Sequence, residues 1–269
     1  MNAQHEPGSG FDTSVAHPAR MYDYYLGGKD NFPADRKAAE EVLAVLPEGR
    51  DMARANRAFL GRAVRFLAGA AGIRQFLDIG TGLPTQGNTN EVAHAVAPGS
   101  RVVYVDNDPI VLVHARALLA AHDQSRTTVI QADLRVPDGI LAHPEVHATL
   151  DFDQPMAILL VAILHFIRDQ EDPAGIVARL KQVMSPGSYL VISHGTQDFD
   201  PALAQQAVRP YNRATAPFVL RSKDEIAGFF DGLDLVDPGL VQIPLWQPDG
   251  PLPSSLDRIW LYGGIGRKA

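Results

Sequence analysis

The chain has 269 residues, 46% of them hydrophobic and 20% charged, with 31 acidic against 24 basic side chains and a formal charge of −7. Such length and apolar content support one large α/β domain with an appended element and exclude global disorder, while the acidic balance argues against a nucleic-acid partner. Cysteine is absent, which excludes disulfides, thiolate metal sites and a cysteine nucleophile.

The first ten residues are polar and lack an apolar leader core, and the most apolar stretch, 156–164, is too short to span a bilayer. A cytoplasmic protein with no membrane partner is the expectation. The first dozen residues carry Gly, Pro, Ser and His without periodicity and read as flexible. Segment 18–32 packs Tyr22, Tyr24, Tyr25, Gly27, Gly28, Asp30 and Asn31 closely together. Its adjacent glycines make a turn, and a loop of this kind is suited to close over a bound ligand.

Ala38, Ala39, Val42, Leu43 and Leu46 then fall at helical spacing, stopped by Pro47 and Gly49. Met52, Ala55, Phe59, Ala63, Phe66 and Leu67 define a second amphipathic helix. Its other face carries Arg50, Arg54, Arg57, Arg62 and Arg65, read mainly as a solvated surface. Residues 1–72 are therefore taken as a flexible segment plus a helical cap, and 73–269 as the main domain.

From residue 75 short β-branched runs alternate with helices. Strands are predicted at 75–79, 101–106, 127–131, 157–161 and 189–193, with late candidates at 235–243 and 258–263. Helices are predicted at 89–97, where Asn88 and Glu91 make a capping box, at 110–121, and from Asp172-Pro173 to about residue 184. Another begins at Asp200-Pro201, and Ser222 with Glu225 forms a second capping box. The alternation implies a mostly parallel, seven-stranded sheet with helices on both faces.

In an open parallel sheet, ligands bind beyond the carboxyl ends of the strands. Asp78, Asp106 and Asp133 lie at or just past three such ends, an arrangement suited to a ligand with an ammonium, a ribose and an adenine. Gly80 and Gly82 let the backbone turn and approach a ligand closely. Asp78 faces the ammonium, Asp106 takes both ribose hydroxyls, and Asp133 accepts from the adenine amine. Each aspartate alone is as readily a turn or helix cap; three in one βαβαβ unit favour a site. A dinucleotide fingerprint needs Gly-x-Gly-x-x-Gly, but Thr85 stands at the third glycine position. The pattern favours S-adenosylmethionine over a nicotinamide dinucleotide.

The stretches PARMYDYYLGGKDNF (18–32), ARANRAFLGRAV (53–64), QFLDIGTGLPT (75–85), RVVYVDNDPIVLVHARALL (101–119), IQADLR (130–135), DFDQPMAILLVAILHFI (151–167) and LVISH (190–194) carry a specific resemblance. The chain resembles a bacterial S-adenosylmethionine-dependent methyltransferase family first catalogued as a domain of unknown function. The likeness runs over nearly everything after residue 12. It implies a class I, Rossmann-like methyltransferase fold with an N-terminal helical cap, and it implies no substrate.

The expected cofactor residues are Asp78, Gly80, Thr81, Gly82, Asp106, Asn107, Asp133, Leu134 and Val161, joined from the cap by Tyr22, Asn31 and Arg57, the last as a carboxylate anchor. His165 and His194, each near a strand end, are the candidate catalytic groups, although a structural histidine explains either position equally well. Methyl transfer depends largely on positioning and water exclusion, and needs a base only if the nucleophile arrives protonated. No metal site is expected, because His122, His143 and His147 lack ligand spacing to nearby carboxylates. The function expected is methyl transfer to a small-molecule acceptor. The alternatives are a non-catalytic S-adenosylmethionine-binding protein and a nucleotide-dependent oxidoreductase.

Overall fold

A computed structural model describes residues 12–84, 87–119 and 126–269. The expected flexibility of the first dozen residues falls almost wholly outside that range, as do Thr85 and the last two residues of the helix expected at 110–121.

Three helices come first: α1 (Pro18–Tyr25), α2 (Pro33–Val45) and α3 (Gly49–Ala68). The alternating part follows as β1 (Gln75–Ile79), α4 (Thr89–Val96), β2 (Arg101–Asp106), α5 (Pro109–Leu119) and β3 (Thr127–Gln131). Two short helices, α6 (Pro137–Leu141) and α7 (Pro144–Thr149), lead to β4 (Ala157–Val161), α8 (Pro173–Val183) and β5 (Tyr189–Gly195). The last third holds α9 (Pro201–Ala207), α10 (Lys223–Gly228), β6 (Asp234–Leu235), β7 (Val241–Gln242) and β8 (Leu261–Arg267).

The sheet runs in the order β3-β2-β1-β4-β5-β8-β6, with β7 also paired to β8. β1 to β5 are mutually parallel, and β8 is antiparallel to β5. The order turns between β1 and β4. At that point helices leave the sheet toward opposite faces and open a crevice at the strand ends.

Alternation along the buried strands builds two cores, because successive side chains point to opposite faces. Phe76, Val102, Ala157, Leu159 and Val191 meet Phe59, Ala63, Val64 and Leu67 of α3 on one face. Leu77, Ile79, Val103, Ile158, Leu160 and Ile192 meet Ile176, Val177 and Leu180 of α8 on the other. Helices α1 and α2 form a separate cluster, in which Met21, Tyr25, Val42 and Leu43 pack with Tyr211.

Eight strands rather than seven are present among the described residues. The run expected at 235–243 is split into β6 and β7, because Pro238 and the turn at Gly239 (φ +85°) interrupt it. The last strand lies at 261–267 rather than 258–263, since residues 256–258 form a turn of 3₁₀ helix instead. Arg62 is also not solvated: it is 8% exposed and caps the carbonyls of Trp246 (2.9 Å) and Ile243 (2.6 Å). Both capping boxes and the Asp172 cap lie where expected.

Candidate active site

One cavity of about 260 Å³ opens at the carboxyl ends of β1, β2 and β4, roofed by α1 to α3 and by the 204–220 segment. Its floor begins at the loop after β1. Gly80 has φ +75°, and a Cβ there would come within 2.5 Å of the Ile163 side chain. Gly82 has φ +68°, and a Cβ there would meet no described atom within 4 Å, projecting instead into open space at the cavity wall. Thr81 closes the turn by donating from Oγ1 to the Asp78 carbonyl at 3.0 Å.

Two buried carboxylates flank this loop. Asp78 accepts a hydrogen bond from Thr89 Oγ1 at 2.6 Å, and Asp106 accepts from the backbone N–H groups of Gly82 and Asp108, both at 2.9 Å. Burial pushes the pKa of each up to about 6, against partial relief from those hydrogen bonds. Each therefore favours a ligand that brings positive charge or hydroxyl donors. An ionised carboxylate has about four acceptor sites, so Asp106 retains capacity beyond its backbone partners. Asp133 is tied to Arg135 by an ion pair at 3.1 Å and to Asn107 Nδ2 at 3.3 Å, and Arg135 also holds Glu171 at 2.7 Å.

The cap reaches this floor through a chain of buried hydrogen bonds that was not anticipated. The Ala162 N–H donates to Ser193 Oγ (2.9 Å), and Ser193 Oγ to Asn56 Oδ1 (2.6 Å). Asn56 Nδ2 then donates to the Tyr22 hydroxyl (3.0 Å), which donates to the Ala53 carbonyl (3.0 Å). Ala162, just past β4, has φ +57°, a strained conformation for alanine that the bonds to Ser193 hold in place. Asn56 had a visible sequence signal: it interrupts the apolar face of α3 between Ala53 and Leu60. At the other edge, His17 caps α1 and lies 3.3 Å from Asp108, joining the cap to the end of β2.

Of the residues expected from sequence, Asp78, Gly80, Thr81, Gly82, Asp106, Asn107, Asp133, Leu134, Val161, Tyr22, Arg57 and His165 all line this cavity. Arg57 donates to the Gly87 carbonyl (3.2 Å) and to Asn88 Oδ1 (3.3 Å). Asn31 and His194 do not line it. Asn31 is spent inside the cap, donating to Asp23 (2.7 Å) and Gly28 O (3.0 Å) and accepting from Arg36 (3.0 Å). His194 is fully buried behind the wall. Its Nδ1 faces the Gly195 carbonyl at 2.7 Å and its Nε2 faces Arg221 Nη1 at 2.9 Å. The first contact needs the proton on Nδ1 and the second needs a lone pair on Nε2, so both nitrogens are committed. Burial drives its pKa down to about 3, and His194, expected as a catalytic group, instead has both nitrogens spent inside the protein.

His165 sits in a 3₁₀ turn pinned by Arg221, which donates to the carbonyls of Leu164 (3.1 Å) and Ile167 (2.9 Å). Its ring stacks on Phe218 at 4.0 Å, nearly parallel at 10°. Nδ1 accepts from the Gly195 N–H at 3.3 Å, and burial holds its pKa well below the usual histidine value.

A family model described as S-adenosyl methyltransferase matches residues 4–269. The chain belongs to that family. Two solved structures are similar to this S-adenosyl methyltransferase throughout. A DUF574 family protein from Streptomyces avermitilis is 46% identical, with a TM-score of 0.90 over 96% of this chain and 99% of that one. A Thermobifida fusca protein described as a candidate methyltransferase is 43% identical, with a TM-score of 0.90 over 96% of each chain. The N-methyltransferase NodS of Bradyrhizobium japonicum, at 13% identity and a TM-score of 0.51 over 82% of this chain and 98% of that one, shares the fold. No curated protein matches the chain.

The protein is thus an S-adenosylmethionine-dependent methyltransferase of class I fold. The residues present fit that cofactor: Gly82 leaves open the space a Cβ would fill, and two desolvated carboxylates stand beside it. Among the described residues, no helix is long and apolar enough to cross a membrane.

Proposed function

We propose that the enzyme methylates a small-molecule acceptor that enters the cap side of the cavity, with the cofactor held at the ends of β1, β2 and β3. The observation that carries this reading is the shape of the cavity. One continuous, partly open cavity has the Asp78–Gly82 loop and Asp106 at one end and cap side chains such as Tyr22 and Tyr25 at the other. A macromolecular substrate would need a broad open surface; a space of about 260 Å³ under three helices admits small molecules.

When bound, S-adenosylmethionine supplies an electrophilic methyl group on a sulfonium. The chain's own residues then bind, orient and exclude water. Asp106 takes the ribose hydroxyls with its remaining acceptor sites, Asp78 provides negative charge toward the methionine ammonium, and Arg57 faces the methionine carboxylate. Asp133, Asn107 and Leu134 enclose the adenine, while Thr81 and Val161 border the methionine end. Helices α1 to α3 act as the cap, with Tyr22 and Asn56 joining it to the floor. His165 is the group placed to touch the acceptor.

Hydrogen exchange of the intact protein with and without S-adenosylhomocysteine tests this arrangement. Protection is expected at 78–82 and 105–108 and also in α1. Protection confined to the strand-end loops, with α1 unchanged, would remove the cap from the binding site.

A further inference from the structure

We infer that the acceptor is an aromatic hydroxyl compound, uncharged apart from its reacting oxygen, and that His165 receives that oxygen by donating a hydrogen bond from Nε2–H. The inference rests on the methyl-transfer site proposed above and extends it to the acceptor.

Charge is distributed unevenly over the cavity wall. The charged lining residues Arg57, Asp78, Asp106, Asp133 and Arg135 belong to the ends of β1 and β2, to the loop after β3, or to α3. Arg135 lies nearest the other end, and it is already committed to Asp133, Glu171 and the Phe166 carbonyl. His17, the remaining titratable side chain at the edge, faces Asp108. The cap side is instead walled by Tyr25, Phe166, Tyr211, Phe218 and Trp260, with no carboxylate, lysine or arginine among the described residues there. The hydroxyls of Tyr25 and Tyr211 share one hydrogen bond at 3.2 Å, and burial pushes Tyr211 up to about 12, so this pair stays neutral. An acceptor bearing a carboxylate, phosphate or ammonium would lose its hydration there without a counter-charge. A flat aromatic ring would keep its apolar contacts and find edge and face partners among the lining rings, which already pack on one another at 5.3 Å (Tyr211–Phe218) and 5.8 Å (Phe166–Tyr211).

The nature of the reacting atom follows from His165. A neutral imidazole carries one proton, and the nitrogen that accepts from a backbone N–H is the other one. Since Nδ1 accepts from Gly195, the proton sits on Nε2, which has no hydrogen-bond partner among the described residues. His165 therefore offers a donor to the cavity it lines and does not remove a proton in this tautomer. A partner of Nε2–H must accept with one lone pair and attack with another. A hydroxyl oxygen or its anion has the pairs to do both, whereas a neutral amine nitrogen has a single pair. The acceptor's O–H proton is released to bulk water at the cavity mouth before the oxygen docks, so the phenolate reaches Nε2–H already deprotonated and no base is needed inside the site. An O–C bond to the methyl then forms as the S–C bond breaks with its pair left on sulfur, and the single negative and positive charges cancel. Nε2–H stays on His165 throughout.

The test uses the full chain saturated with S-adenosylhomocysteine and three probes of one shape: 2-naphthol, 2-naphthoate and protonated 2-(aminomethyl)naphthalene. Calorimetry should show 2-naphthol binding roughly tenfold or more tighter than either charged analogue. In ¹⁵N-labelled protein, the His165 ring should carry its proton on Nε2, and 2-naphthol should perturb that nitrogen. The His165→Phe variant should weaken 2-naphthol binding by roughly tenfold, with His165→Gln, which keeps an N–H donor, restoring part of it. A proton on Nδ1, or charged probes that bind as well as 2-naphthol, or no 2-naphthol binding at all beside bound S-adenosylhomocysteine, would overturn the inference and leave the methyl-transfer reading standing. Failure of S-adenosylhomocysteine itself to bind would overturn that underlying reading.

Discussion

The two ends of the cavity are built by opposite means. At the strand ends, the carboxylates of Asp78 and Asp106 are desolvated, Asp133 beside them is partly exposed, and all three are hydrogen-bonded to groups within a few residues of their own strands or of the next βα loop. Under the cap, the wall is apolar and drawn from distant parts of the chain, so that Tyr25 meets Tyr211 across 186 positions. The strand-end half recognises a ligand by fixed charges and backbone approach, and its geometry leaves little latitude. The cap half recognises by shape and exclusion of charge, where single substitutions retune the preference without destroying the site. The contrast assigns the invariant part of the reaction to the strand ends and the identity of the acceptor to the cap.

The largest effect is expected where a backbone requirement and a close approach coincide. Gly80→Ala forces a Cβ to within 2.5 Å of Ile163 at φ +75°. It should cost about 2–4 kcal/mol of folding stability and abolish cofactor binding, read by denaturant midpoints and calorimetry. A stable Gly80→Ala protein with normal affinity would show that the loop tolerates latitude after all.

Next is Asp106→Ala, which should weaken cofactor binding by about 1.5–3 kcal/mol while changing the melting temperature little. The strand-end carboxylates also carry a pH signature. Burial raises Asp78 and Asp106 to about 6, above the ordinary carboxylate value. The folded state thus holds protons that the unfolded state has released. Their contribution to stability is present at acid pH and lost as pH rises through about 6. Cofactor binding needs the ionised forms, so affinity should rise over the same interval. Titrations at pH 5 to 7.5 check the sign; affinity that falls with pH would reverse the assignment.

Smaller is the bridge between the halves. Asn56→Leu leaves the buried Ser193 hydroxyl without its acceptor, and should cost about 1–3 kcal/mol and loosen α1, visible as faster hydrogen exchange there. Smallest is Tyr211→Phe in the cap. Losing one partner of a neutral pair should cost about 0.5–1.5 kcal/mol and leave cofactor affinity unchanged, whereas a large loss of affinity would blur the boundary between the two ends.

The same contrast governs what the sequence reveals. β1 to β4 coincide with the expected ranges because each is an apolar β-branched run with turn residues at its ends, and the three aspartates follow from that register. Helix α1 was hidden because its buried side includes Arg20 and Asp23, which break the apolar period. α6 and α7, of five and six residues, are too short to show one. Asn31 and His194 have side chains suited to a site, but their polar atoms are satisfied by Asp23 and Arg221, partners that only folding brings near. The aromatic wall of the cap has no spacing to read, since Phe166, Tyr211, Phe218 and Trp260 are spread over three separate connections. Asn56 was the readable exception, a polar side chain on an apolar helix face.

The central claim is that the loop from Asp78 to Gly82, together with Asp106, is built for S-adenosylmethionine and not for a dinucleotide. Direct calorimetric titration of the purified wild-type protein tests it. S-adenosylmethionine and S-adenosylhomocysteine should bind saturably at one site per chain, and NADH should give no saturable heat under the same conditions. NADH binding as tightly as S-adenosylmethionine, or more tightly, would contradict the account.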